Sequence, residues 1–390
     1  MKKYIAFVLL LLSVASFAQP LRDINYEYLY NPDGPVSFSL RPVRTDSAYT
    51  ILYSLQAKDT TGIMSRYAVQ WEGRDLLSDK EGNSITLAGR DSVTSRVPTG
   101  IRGRWTISAA EAPRVVVARV IDLERRAAWL FYTQLEPGYP VNNFLVSNGS
   151  AVIDPYIGTN DQVNLANHST EWIVSYYDDD FPPAAPIFSE ALARVSRGME
   201  IDSVFYARQG EFRTFAKKGL YLLQKDTTSL EGFAVRAEDD YPQYAKLSSL
   251  SGPLIYISTR QEAERLAASQ GNKKAFDRVV LSIATDTERA RRLMRNYFRR
   301  VELANRYFTS YKEGWKTDRG MVYIIFGRPD DVYKFNDREV WNYDNDQFKI
   351  RMTFTKSSSL FDPDNFVLIR EKKYESTWYE VIDLWRNARF

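Results

Sequence analysis

The segment 307–332, YFTSYKEGWKTDRGMVYIIFGRPDDV, decides how the C-terminal third of the chain is read. A helical spacing of apolar residues runs into it. Gly314, Trp315, Lys316, Thr317, Asp318, Arg319 and Gly320 then separate that pattern from the apolar run MVYIIF. Gly314 stands where a helix must stop, and a left-handed glycine there lets the last carbonyls find partners. Trp315 is placed to cover the end of a core: its ring can bury on the order of 200 Å², and its N–H needs one partner. Thr317 and Asp318 bond local backbone in turns, and Gly320 tolerates an unusual φ. Asp318 has Arg319 beside it for a charge-assisted pair. The expectation is a helix-to-strand corner, with MVYIIF as the strand.

Upstream, a long helix is expected from Asp286 to Glu313, opened by a capping box of Thr285 with Glu288. Ala290, Leu293, Met294, Tyr297, Phe298, Val301, Ala304, Tyr307, Phe308 and Tyr311 fall on one face at 100° per residue. The opposite face is basic. Arg291, Arg292, Arg295, Arg299 and Arg306 share it with only Glu302, and between Arg289 and Lys312 eight basic groups face one acid. Such a ridge either meets an anionic partner or is a solvated, internally paired face. Its candidate binding residues are Arg292, Arg295, Arg299 and Arg306.

Two shorter helices, RQEAERLAAS and NKKAFDRVVLSIA, precede the long one, and strands EVWNYD and FKIRMTFT follow the GRPDD turn. Earlier still, alternating runs such as YTILYSLQA, SRYAVQWEG, GRWTISA, RVVVARVIDL and AAWLFYTQL recur about every ten residues, as in an antiparallel sandwich. LEPGYPVNN breaks the pattern, and a second, less regular β segment runs from Val141 to Tyr241. The expected fold is multidomain and β-rich. It comprises two β-sandwich-like domains at 19–138 and 139–245, then an α+β domain at 246–390 whose long amphipathic helix packs on an antiparallel sheet.

The chain opens MKKYIAFVLLLLSVASFAQP, with a basic start, an apolar run from Ile5 to Val14, and small residues at Ser16 and Ala18. That pattern is a secretory signal peptide cut after Ala18. The run is too short for the ~20 residues of a bilayer span, and no later segment is long and apolar enough. With no Cys there is neither a thiol to acylate nor a disulfide, so packed cores carry stability. The formal charge of +3 includes Lys2 and Lys3, which argues against a general nucleic-acid binder. No secretion tail is evident in VIDLWRNARF, which favours the periplasm, with association to the outer membrane as the other placement.

The motifs PLIYIST, RVELANRYF, GWKTDRGMVYIIFGRPD, the lone Trp341 of EVWNYD and the terminal YESTWYEVIDLWR resemble the GWxTD domain. That family is named for Gly314, Trp315, Thr317 and Asp318 and is found mainly in exported proteins of Bacteroidota and some other bacteria. The likeness covers Pro253 to the C-terminus. Asp277 and Arg278 stand where the family pattern carries an aromatic pair. The resemblance implies a domain and a compartment, and brings no reaction with it.

Candidate chemistry is sparse. Asp318, Asp330 and Asp331 could form a carboxylate cluster for acid–base or metal work, although GRPDD also reads as a tight turn. His168 is the only histidine, lies in a polar stretch, and has no Gly-x-Ser-x-Gly elbow to serve. Asp178, Asp179 and Asp180 before FPPAAP could hold calcium but lack the twelve-residue loop spacing, so a solvated loop is the plainer reading. FDPDNF reads as a turn between strands. Asp46-Ser47-Ala48, Asp59-Thr60-Thr61, Asp91-Ser92-Val93, Asp202-Ser203-Val204 and Asp226-Thr227-Thr228 resemble O-glycosylation acceptor triplets of exported proteins.

The expected function is a non-enzymatic interaction or scaffold component of the cell envelope, needing no cofactor or metal. Its partner would be an envelope protein or an anionic envelope component. The competing reading is a carboxylate-based hydrolase of glycans, with Asp318 and one of Asp330, Asp331 or Glu339 as acid and base.

Overall fold

The computed structural model describes residues 19–390 apart from 60–62, 88–91, 98–99, 167–170, 179–180, 190–198, 209 and 270. Residues 1–18, where a signal peptide is expected, and His168, Asp179 and Asp180 lie outside the described residues. The chain is β-rich, with several antiparallel sheets followed by a region of helices and one further sheet.

Eight strands form the first part: β1 (Val36–Arg44), β2 (Ala48–Ala57), β3 (Tyr67–Arg74), β4 (Asn83–Ile85), β5 (Ser92–Val97), β6 (Gly100–Ser108), β7 (Val115–Asp122) and β8 (Ala127–Gln134). They make two antiparallel four-stranded sheets, β1-β2-β6-β5 and β4-β3-β7-β8. Phe38, Ile51, Tyr53, Leu55 and Trp105 of the first sheet share one core with Trp71, Val116, Ala118, Val120 and Phe131 of the second. Strand β7 reads as a continuous apolar run because both its faces are covered: Val115 and Val117, on the other face, lie under Leu21 and Leu77.

The second part holds a small sheet of β9 (Leu145–Ser147), β10 (Ser150–Ala151) and β12 (Asn164–Leu165). Beside it lies a five-stranded sheet of β11 (Tyr156–Gly158), β13 (Trp172–Tyr177), β14 (Ser203–Ala207), β15 (Gly219–Gln224) and β16 (Phe233–Glu238). It is mixed, because β11 runs parallel to β16. Its core reaches back to Val43 and Leu52 of the first part.

The C-terminal part contains helices Arg260–Ala268, Lys273–Ala284, Thr287–Phe308, Asp318–Phe326 and Glu375–Arg386. Its antiparallel sheet runs β17 (Asp331–Lys334), β18 (Arg338–Asp344), β19 (Lys349–Lys356) and β20 (Phe366–Leu368). FDPDNF is indeed the connection between β19 and β20. Three local expectations are corrected. The run MVYIIF is helical, within Asp318–Phe326, and lies along the long helix. Between Thr317 and Gly327 every residue except Arg319 is buried, so the run shows no polar face that would reveal a helical period. The long helix ends at Phe308, and its N-cap is Asp286, whose carboxylate accepts the Arg289 N–H at 2.8 Å. Thr285 instead closes the preceding helix with φ 67°. The long helix reaches the sheet through Phe308, whose ring lies 5.6 Å from that of Trp341.

The C-terminal core also uses the first residues of the described chain. Tyr26 N–H donates to the Val332 carbonyl (2.7 Å), and Asn25 Oδ1 accepts from Val332 N–H (2.9 Å). The Tyr30 ring packs on Phe308 and Trp341, and its hydroxyl donates to the fully buried Glu339 at 2.6 Å. A buried carboxylate that loses a donor keeps its desolvation cost. Tyr30→Phe should therefore lower unfolding stability by about 1–3 kcal/mol, read from the denaturant midpoint.

At the far end, Arg386 of the last helix donates to Glu262 of the first at 2.8 and 2.9 Å. Those bonds hold the Glu262 carboxyl at about 2 against its burial, with help from the Thr259 N–H. A depressed carboxylate contributes stability that is complete above its unfolded value of 4.5 and is lost as pH falls through about 2. Glu262→Gln should thus cost on the order of 3 kcal/mol at pH 7. Melting curves taken from pH 7 down to pH 2 should show that deficit shrinking towards zero.

Candidate functional site

The turn 314–320 is locked by backbone contact. A Cβ on Gly314 would run into the Ala304 carbonyl oxygen, and one on Gly320 into the Gly314 carbonyl oxygen. Neither glycine has a positive φ, which corrects the expectation of a left-handed stop and an unusual φ. Both are glycine because three backbone segments meet there: the end of the long helix, the turn and the first turn of the motif helix.

Each motif side chain then joins one more segment. The Trp315 ring is buried, its N–H donates to the Tyr244 hydroxyl (3.1 Å), and its carbonyl accepts from Tyr256 (2.9 Å). Its backbone N–H goes to Asn305, which is itself fully buried and donates to the Pro242 carbonyl. Thr317 is the N-cap of the motif helix: its hydroxyl accepts from Gly320 N–H at 3.0 Å and donates to the Gly314 carbonyl at 2.8 Å. Asp318 does not pair with Arg319. Its carboxylate takes Arg370 at 2.5 and 3.2 Å and the Leu368 N–H at 2.8 Å. Arg319 turns the other way, 3.5 Å from Glu339, with its guanidinium over the Phe366 ring. The motif is a helix-to-helix corner.

The stretch FPPAAPIF, which follows the three aspartates, crosses this corner. Ala184 N–H donates to the Lys316 carbonyl, Arg370 donates to the Ala185 carbonyl, and Ile187 is fully buried. Asp178 accepts the Tyr176 hydroxyl at 3.2 Å. Among the described residues no group of three or more carboxylates or histidines could hold a metal ion.

The candidate acids do not converge. Asp318 sits at the start of the motif helix, and Asp330 and Asp331 follow its end, nine residues and roughly 13 Å of helix away. Asp330 accepts the Asp344 N–H (2.7 Å), and Asp331 accepts the Asn25 amide (2.9 Å). Glu339 is enclosed by Tyr30, Trp341 and Arg319.

The basic face divides. Arg291 pairs with Glu288 and Arg306 with Glu302, each at 2.7 Å, and Arg299 lies 3.8 Å from Asp33. Arg300 caps the motif helix by donating to the Ile324 and Ile325 carbonyls. Arg292 and Arg295 are exposed and make no ion pair with a described residue. Of the acceptor triplets, Asp46-Ser47 and Asp226-Thr227-Thr228 lie exposed in hairpin turns. Asp202-Ser203-Val204 opens β14, and Thr60, Thr61 and Asp91 lie outside the described residues.

Sequence reasoning missed a buried ionic cluster beside the motif. Arg236 of β16 donates to Glu238 (2.7 Å) and to the Tyr311 carbonyl (2.8 Å), and lies 3.7 Å from Glu313. Lys316 meets Glu313 at 3.0 Å, and Lys218 reaches both acids at 3.3 and 3.4 Å. Burial would raise Glu313, yet Arg236, Lys316 and Lys218 hold it down at about 2. For Glu238 burial prevails and the carboxyl is raised. The strand FAVRAE carries these charges at alternate positions, a pattern that normally marks a solvated face.

Trp315→Ala should destabilise the fold by roughly 3–5 kcal/mol, the range for large aromatic truncations in cores. Asp318→Ala should cost a similar 3–5 kcal/mol, because Arg370 is left buried and unpaired. Denaturant unfolding of the two variants checks both, and an unchanged midpoint in either would remove its residue from the corner.

No curated protein matches the chain. The model of the GWxTD domain matches residues 219–387, from the first residue of β15 to just past the last helix. That match takes in the corner and, except for Lys218, the ionic cluster, and it identifies residues 219–387 as a GWxTD domain.

Proposed function

We propose that this chain is an exported component of the cell envelope that acts by binding, as an interaction or scaffold protein in the periplasm or at the outer membrane. One observation carries the reading: every acid proposed for catalysis is committed to a structural partner, while Arg292 and Arg295 stand exposed and uncommitted. A hydrolase built on Asp318 would need a second carboxylate across an open cleft. Its acid is instead tied to Arg370 and to backbone.

In this reading the first two β parts, 19–138 and 139–245, are sandwich-type modules, and 246–390 is the α+β module that bears the docking face. Arg292 and Arg295 are the centre of that face. Arg299, weakly held by Asp33, extends it, and Arg306, already paired with Glu302, lies at its margin. The partner is an acidic envelope protein. The leader sequence supports export, and among the described residues no helix is long and apolar enough to cross a membrane.

Exposed charges contribute at most about 0–1 kcal/mol each to stability, so Arg292→Gln combined with Arg295→Gln should leave the melting temperature near normal. Co-sedimentation with isolated envelopes should fall in the double variant. In the unmutated protein it should weaken as salt rises. A folded double variant that associates as before would overturn the docking face.

A further inference from the structure

The three parts of the chain leave a cavity of about 300 Å³ where they meet. Most charges on its wall are matched. Asp364 accepts the Tyr139 hydroxyl (3.1 Å) and pairs with Lys356 (3.3 Å), and Asp154 lies 3.7 Å from Arg102. Two charges are not. Arg41, from β1, makes no ion pair or side-chain hydrogen bond with a described residue. Asp362, in the turn between β19 and β20, accepts the Asp364 N–H at 3.0 Å but has no cation of the described residues within ion-pair distance.

Opposite charges that line one cavity without touching bear their desolvation and recover little of it by attraction. Burial accordingly lowers Arg41 and pushes Asp362 up to about 6. A simple anion would satisfy Arg41 and leave Asp362 facing more negative charge. A simple cation would do the reverse. A neutral sugar would offer hydrogen bonds and no counter-charge. The rest of the wall is mixed: Ser39, Thr309 and Ser310 bring hydroxyls, Arg306 and Arg319 are held by Glu302 and Glu339, and Leu40, Val141, Ile153 and Leu360 form an apolar wall on one part of it. The volume sits at the low end of the about 300–1,000 Å³ of small-molecule sites.

We propose that this cavity binds a free α-amino acid with an apolar side chain, its carboxylate on Arg41 and its ammonium on Asp362. Charge-assisted bonds at both ends fix its orientation, and the apolar wall takes the side chain.

Calorimetric titration of the full chain near pH 7 tests this with L-leucine and L-phenylalanine. The controls are 4-methylpentanoate and isopentylamine, which carry leucine's apolar chain with only one of its two charges. Saturable heat is expected from at least one amino acid and from neither control. Arg41→Gln and Asp362→Asn should each weaken that binding roughly tenfold or more, with melting temperature as the folding control. Three results would overturn the proposal: no saturable heat from either amino acid, a control that binds as tightly, or folded variants with unchanged affinity. If a variant does not fold, the comparison of amino acid, acid and amine on the unmutated chain decides alone.

Discussion

One guanidinium holds the C-terminal architecture together. Arg370 follows β20, takes both oxygens of Asp318 at the start of the motif helix, and donates to the Ala185 carbonyl of the Pro-rich crossing. Sheet, helix and a loop from the preceding part are thereby fixed at one point. The pair is nearly buried, so its net contribution is set less by attraction than by what its loss would leave behind. The two glycines complete the constraint, because the turn reaches Arg370 only if its backbone lies directly on the end of the long helix.

How far the sequence discloses this depends on whether a residue has two distinguishable sides. Strands such as β1 and β6, and the long helix, each present one apolar face, and periodicity finds them. MVYIIF has no exposed face, so the same method cannot separate strand from helix. Thr317 before it and Gly327 after it, with φ 86°, are the N-cap and the glycine stop that a closer reading of the ends would have used. The buried charges are illegible for a different reason. Glu313, Lys316, Asp318 and Glu339 belong to residue types that are almost never buried unless paired; Glu313 and Lys316 meet each other, but Arg236 for Glu313, Arg370 for Asp318 and Tyr30 for Glu339 lie far away in sequence.

The same argument sorts the arginines of the long helix, which by sequence form a single ridge. Arg300 is drawn inward to cap the motif helix and stacks on Trp385 and Phe390. Arg291 and Arg306 are neutralised by acids three or four residues away on their own helix. A basic face counted from sequence therefore overstates the charge open to a partner. The smaller set that survives is local, around Arg292 and Arg295, and at exposed charges of that number attraction to an anion is strongly screened by salt.

Polar seams between parts of a chain demand more of geometry than apolar ones, because each charge must find its partner or remain a net cost. Around the motif the matching is close: two acids and three bases, from β16, the residue before β15, and Glu313 and Lys316 at the turn, converge within 3.7 Å. Nearer the first part it is not, and Arg41 and Asp362 face a cavity without meeting. These two seams use their charges differently, one cluster closed on itself between the parts, the other left open. Only the open one has charge to offer a ligand.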